Sequence, residues 1–414
     1  MLDTNIRKHV VLGIIFLFIG TSVIQVVYGN AEANHLYSPN VNLEANRISL
    51  KNTSNNIKGN LDSILCPAEF DPVDELLISW PKKSGDESYE CEPFSVQVVK
   101  AAEDAVHVNI NVNKYWMFNI EASETGFIVP PNNDRPIPAL QAAGVPLDNI
   151  TFDNIMTESI WIRDYGPFFI IKNEKLELVD FGYYGFRLLG GRILDNIYPI
   201  RYGNKYNIKP TIITNFLLNA QGGNLISDGK GTAFLCWDRL DADNDLTQEQ
   251  VKSILKDYLG FDNVVFLESE VIPVSQYGDQ TGHIDMFAKM LNNNTFLVSQ
   301  WIDGDPWTNG TNAEIVDRNA QKLEDMGYNV IRVPTIRDPD DPYVIWSYTN
   351  SLIINGVHKK VVLVSQYGAP EDSEVISIYQ NAMPDYEIRP IDSTEIIKFY
   401  GAIHCTTITR PEIN

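Results

Sequence analysis

The sequence predicts an α/β fold assembled from copies of one supersecondary unit. Three observations predict it. An apolar strand ending in an aromatic residue, then a loop, a helix and a second apolar strand recur along the chain. The intervening helices carry their own start and stop signals. With 414 residues, 44% of them hydrophobic, there is ample apolar material for a large core.

Taken in order, the first copy pairs Leu76-Leu77-Ile78-Ser79-Trp80 with a helix near 94–105 and a strand from His107 to Val112. A less regular copy runs from Leu176 through Tyr184 to Ile213. The next begins at Phe234-Leu235-Cys236-Trp237 and ends in a strand from Val264 to Leu267. Thr247 and Gln250 form a capping box for its helix. Val251, Ile254, Leu255, Tyr258 and Leu259 line one face of that helix, and Gly260 stands where a C-terminal cap is wanted. The copy from Phe296 to Trp301 continues into a helix near 312–326, with Ile315, Val316, Ala320 and Leu323 inward and Gly327 as its stop. Its closing strand is Val330 to Val333. The last copy joins Val361–Tyr367, a helix near 372–382 and a strand from Tyr386 to Ile391. Each copy has an apolar sheet face that it cannot bury alone. Packing several around a centre would bring their strand-end loops to a common mouth. An ordinary α/β protein with look-alike units fits the same pattern.

Three regions are expected along the chain. Arg7, Lys8 and His9 precede the apolar run Val10 to Gly20, and small residues at Gly29 or Ala31-Glu32-Ala33 suit cleavage, so residues 1–29 read as a secretory signal peptide. An uncleaved membrane anchor extending to Val27 is the alternative. Residues 30–62, rich in Asn and Ser, read as a flexible leader, and 63–414 as a single domain. Only nine residues follow Cys405, too few here for an appended C-terminal domain. After cleavage no stable membrane insertion is expected; the predicted location is secreted, with a periplasmic or anchored protein as alternatives. Four cysteines, Cys66, Cys91, Cys236 and Cys405, are too few for a disulfide scaffold, though Cys66 and Cys91 could pair in an oxidising compartment. Sequons begin at Asn52, Asn149, Asn293 and Asn309 and matter only where the source glycosylates. A formal net charge of -22 argues against a nucleic-acid partner and would draw in a cation, although it also suits plain solubility.

Four segments carry the residue types of one chemistry. A guanidinium is flat, cationic and rich in donors, so binding it calls for carboxylates, and replacing one of its nitrogens calls for a nucleophile and a proton carrier. Trp161-Ile162-Arg163-Asp164-Tyr165-Gly166-Pro167 sets a charged pair just before an apolar strand; alone, it reads as a structural turn. Gln221-Gly222-Gly223-Asn224 permits close backbone approach, and Asp228-Gly229 behind it signals a hairpin. In Thr281-Gly282-His283-Ile284-Asp285, the His and Asp would share one face of a strand and form an acid/base pair. In Gly401-Ala402-Ile403-His404-Cys405-Thr406-Thr407 the sulfur could attack as a thiolate, or pack inertly in a core. Asp241-Ala242-Asp243-Asn244-Asp245 faintly resembles a calcium loop without its glycine and reads as the acidic lead-in to the helix after Thr247. No metal or cofactor is expected.

Together the ordered segments resemble the agmatine deiminase and bacterial-type peptidylarginine deiminase family of the guanidino-modifying superfamily. Pro67-Ala68-Glu69-Phe70, Leu77-Ile78-Ser79-Trp80 and Tyr348-Thr349-Asn350-Ser351-Leu352 are similar to further motifs of that family, so the likeness runs from about Cys66 to Thr407. It implies a pseudo-fivefold α/β propeller of strand-strand-helix-strand units. It also implies Cys405 as nucleophile, His283 as general acid/base and Asp164 and Asp285 as guanidinium ligands. Trp161 would line the channel, Gly222 and Gly223 would lie against substrate, and Asn350 would order the site. Gln221 stands where agmatine deiminases carry Glu, which favours an arginine-containing peptide or protein as substrate. The Arg-x-Arg clasp of the bacterial peptidylarginine enzymes is reduced here to Arg187, and Gln280 stands where that branch places an aromatic residue. Agmatine deiminase, amidinotransferase and a non-catalytic surface protein of the same fold are the alternatives.

Overall fold

The computed structural model describes residues 63–81, 91–112, 136–183, 192–213, 217–270, 281–302, 311–341 and 344–413. The chain divides into units Met1–Leu61 and Asp62–Asn414, and the described residues belong to the second.

The strand-strand-helix-strand unit recurs five times. In each, two antiparallel strands are followed by a helix that crosses back to a third strand, parallel to the second. Phe168–Lys172, Lys175–Asp180, the helix Tyr198–Tyr206 and Pro210–Ile212 make one unit. Ile226–Ser227, Thr232–Cys236, the helix Gln248–Leu259 and Asn263–Leu267 make the next. Ala288–Asn292, Thr295–Trp301, Thr311–Asp325 and Asn329–Arg337 follow. Then come Leu352–Gly356, Lys360–Gln366, Asp372–Ala382 and Glu387–Asp392. The remaining unit is assembled from both ends of the domain. The strand Thr407–Pro411 pairs antiparallel with Pro72–Ser79, which leads through the helix Glu92–Lys100 to the parallel strand His107–Asn111.

Local signals explain the elements. Thr247 and Gln250 exchange both bonds of a capping box, and Gly260 closes that helix with a left-handed φ of 78°. The Asp228-Gly229 turn forms because Asp228 Oδ1 accepts from the amides of Lys230 and Thr232 while Gly229 and Gly231 take positive φ. Central strands are apolar on both faces: Val361 to Val364 and Leu352 to Ile354 are fully buried, each side chain contributing about 1.5–3 kcal/mol.

Four expectations differ from what is observed. The first helix ends at Lys100, because Asn149 Nδ2 binds the carbonyls of Glu103 (2.6 Å) and Val106 (3.0 Å) and holds a turn there. That sequon side chain is therefore committed to the fold. The stretch before Thr247 is a separate helix, Trp237–Asp243, stopped by Asn244, whose amide binds the Leu240 carbonyl at 2.8 Å. Cys66 and Cys91 do not pair: all four cysteines are free and buried, and these two pack in different apolar clusters. Finally, His283-Ile284-Asp285 lies on a short 3-10 turn, Ile284–Met286, and not on a strand.

Candidate active site

All five units place a site segment in the same position, in the few residues immediately before the first strand. Asp164 precedes Phe168–Lys172, and the glycine pair precedes Ile226–Ser227. His283 and Asp285 precede Ala288–Asn292, Asn350 precedes Leu352–Gly356, and Cys405 precedes Thr407–Pro411. The repeat thus delivers distant sequence segments to one place.

Gly223 marks that place. A β-carbon built on it would lie 2.6 Å from His283 Nδ1, 2.7 Å from Asp164 Oδ1 and 3.1 Å from Asp285 Oδ2. Its amide donates to Asp164 Oδ1 at 3.2 Å. Cys405 Sγ is 3.6 Å from Asp285 Oδ2. Two carboxylates, an imidazole and a thiol therefore meet, all buried. Gly222 lines the adjoining cleft and also packs the loop, since a β-carbon there would lie 2.2 Å from the Arg163 carbonyl. Trp161 borders the sulfur, since a β-carbon on Gly401 would lie 2.6 Å from the indole and 3.1 Å from Cys405 Sγ. Arg187 and Gln280 lie outside the described residues.

Asn350 organises the nucleophile loop. Its Nδ2 donates to Cys405 Sγ at 3.1 Å. Its Oδ1 accepts from the amides of Ala402, His404 and Cys405 at 3.1–3.3 Å. The neighbours of Asn350 hold it still. Tyr348 OH donates to Asp372 (2.6 Å), Tyr379 OH donates to the Tyr348 carbonyl (2.8 Å), and Thr349 Oγ1 donates to the Asp285 carbonyl (3.1 Å).

Behind the site lie four residues to which the residue-type argument assigned no role. His404 Nδ1 is 2.8 Å from Asp285 Oδ2, and its Nε2 is 2.7 Å from Glu69 Oε2. Glu69 Oε1 pairs with Lys289 at 2.5 Å. The backbone amide of Arg163 donates to the Cys405 carbonyl (3.2 Å) and its Nε to the His404 carbonyl (3.4 Å). A cleft lined by Glu69, Arg163, Asp285, Lys289 and His404 adjoins them. The available signal was the PAEF segment and the His immediately before the nucleophile.

Protonation follows from burial and charge. Burial, then the charges of Asp285 and Asp164, push the Cys405 thiol well above its ordinary value, against the Asn350 amide, so the resting sulfur is a thiol. Burial would raise Asp285, but the His404 bond and the His404, His283 and Arg163 charges outweigh it and hold the carboxyl below its usual range. Burial pulls His283 down to about 4, against Asp285, so the imidazole is neutral near pH 7. Its folded value lies below the unfolded one, so folding is favoured fully above pH 6.5 and loses that contribution as pH falls toward 4. Between pH 7 and 5 the loss attributable to His283 is roughly 2 kcal/mol. Denaturant melts of wild type and His283→Asn at both pH values check this; equal pH slopes in the two proteins would remove His283 from the account.

Among the described residues no group of three His, Cys, Asp or Glu is placed to hold a metal ion. No helix among them is long and apolar enough to cross a membrane.

A family model described as Porphyromonas-type peptidyl-arginine deiminase matches residues 65–411. The chain belongs to this deiminase family. Its members are hydrolases acting on the C–N bonds of amidines. Relatives include an agmatine deiminase of Pseudomonas aeruginosa, 22% identical across 84% of this chain and 96% of that protein. One of Pseudomonas putida is 25% identical over the same shares. Agmatine deiminase from Campylobacter jejuni superposes with a TM-score of 0.69 at 19% identity, covering 86% of this chain and 99% of that one. The solved neighbours share the fold of this deiminase, and its five-unit construction agrees with the propeller expected above.

Proposed function

We propose that the protein hydrolyses the guanidinium group of an arginine-derived substrate to a ureido group and ammonia, with agmatine the first substrate to test. The observation that carries this reading is the convergence at Gly223 of Asp164, Asp285 and His283, with Cys405 Sγ beside Asp285. Two carboxylates suit a flat cation, and the thiol suits attack on its central carbon. The cation offsets the two negative charges that hold the proton on sulfur. As Cys405 Sγ bonds to that carbon, its proton passes to neutral His283. His283 returns the proton to the departing nitrogen, the C–N bond breaks, and ammonia leaves a thiouronium on sulfur. Water then gives a proton to His283 and adds to the same carbon. The C–S bond breaks as His283 returns its proton to sulfur, the added hydroxyl loses its proton to solvent, where it converts the released ammonia to ammonium, and the ureido product is free.

Agmatine stands first because the relatives at 22–25% identity bear that activity in their names. Peptidyl-arginine is the second reading. It is favoured by Gln221, which removes the negative charge that agmatine deiminases keep at that position, and by the name of the matching family. Export is part of the proposal too, supported by the basic start and apolar run from Arg7 to Gly20. One experiment separates the readings: ammonia release from agmatine, free arginine, and peptides with internal or C-terminal arginine, assayed in cell and medium fractions. Agmatine turnover exceeding that of every peptide is expected. Peptide turnover alone would select the second reading, and no ammonia from any of them would end both.

A further inference from the structure

We propose that His404 is a positioning residue: it fixes the Asp285 carboxylate so that one oxygen meets the substrate cation while the other is kept from opposing the Cys405 sulfur. The proposal rests on the deiminase reading above. It begins with the unequal surroundings of the two Asp285 oxygens. Oδ2 lies 2.8 Å from His404 Nδ1 and 3.6 Å from Cys405 Sγ. Oδ1 is buried and has no hydrogen-bond partner in the protein. A carboxylate held at one oxygen can swing unless the donor itself is fixed.

The donor is fixed at its far end. His404 Nε2 meets Glu69 Oε2 at 2.7 Å. Glu69 Oε1 is held by Lys289 Nζ at 2.5 Å and by the Ile353 amide at 2.7 Å. Lys289 Nζ in turn donates to the Ser351 carbonyl at 2.6 Å. The His404 backbone is tied to Asn350 Oδ1. Ionised carboxylates only accept, so the ring nitrogen that faces Asp285 is the donor of that bond. His404, Asp285 and Lys289 are buried, so water does not compete for these bonds. Lys289 balances Glu69, which leaves the His404 donor to act on Asp285. Without it, a bare carboxylate oxygen would face the sulfur at short range in a low-dielectric site, and like charges there oppose formation of the attacking thiolate.

Two alkylating probes of Cys405 read this directly. Chloroacetamidine carries a flat amidinium that needs the carboxylate grip; iodoacetamide is neutral and needs only the sulfur. The ratio of their inactivation rate constants, with intact mass verifying one addition at Cys405, measures that grip without any turnover. If wild type shows no preference for the amidinium, the deiminase reading itself fails. Given a preference, His404→Ala is expected to lower the ratio about ten- to a hundredfold, the scale of a lost charge-assisted hydrogen bond. His404→Asn, whose amide retains a donor near the Nδ1 position, should recover most of it. Glu69→Gln leaves the ring in place and loosens only its outer anchor, so a smaller drop is expected, and this variant carries the test if the alanine protein does not fold. An unchanged ratio in the folded alanine or glutamine protein, or asparagine no better than alanine, would overturn the proposal.

Discussion

Replacing Gly223 with alanine is expected to cut kcat/KM at least about a hundredfold while the protein remains folded. The added carbon would sit 2.6 Å from His283 Nδ1, 2.7 Å from Asp164 Oδ1 and 3.1 Å from Asp285 Oδ2. Real contacts do not close to that distance, so the three functional groups must move apart. Their separation is what the reaction depends on, and a displacement of the order of 1 Å costs about two decades of rate. Gly223 does not have a left-handed φ, so the effect is steric at the site and not backbone strain. Ammonia release and a melting curve check the two halves of the expectation. A variant with wild-type kcat/KM would mean that the groups around Gly223 are not the reacting ones.

The second large effect belongs to the nucleophile. Cys405→Ser should lower kcat by on the order of 10⁴-fold or more, since removing the atom that forms the covalent intermediate removes the two-step route. Binding should survive, because Asp164 and Asp285 remain. Equilibrium dialysis with labelled substrate, beside a single-turnover assay, tests both. Residual turnover within tenfold of wild type would remove the sulfur from the mechanism, and loss of binding without loss of turnover is not compatible with it either.

Much of this site was legible beforehand because its members sit in short segments whose residue types suit guanidinium chemistry. Asp164, His283, Asp285 and Cys405 received their roles from the resemblance that the ordered segments bear to the deiminase family, and the structure brings them together. The repeated unit was visible too, since its helices carry strong caps and its strands run apolar. The closing strand Thr407–Pro411 was not. Its residues are mostly polar, and its partner Pro72–Ser79 lies at the other end of the domain; periodicity describes a segment, never its neighbour. The 3-10 turn at Ile284–Met286 was read as a strand because two residues two apart fit both. Glu69, Lys289 and Arg163 were given no role for a related reason. Each is an ordinary charged residue in sequence, and only burial beside His404 and Cys405 gives it significance. Cys66 and Cys91 looked pairable by count, whereas separate cores keep them apart.

The strand that completes the first unit, Thr407–Pro411, comes last in the chain, and Cys405 stands just before it. A chain not yet made that far holds both carboxylates and the imidazole without the sulfur, and Pro72–Ser79 still lacks its antiparallel partner. Completion of the first unit and delivery of the sulfur to the carboxylates are one event.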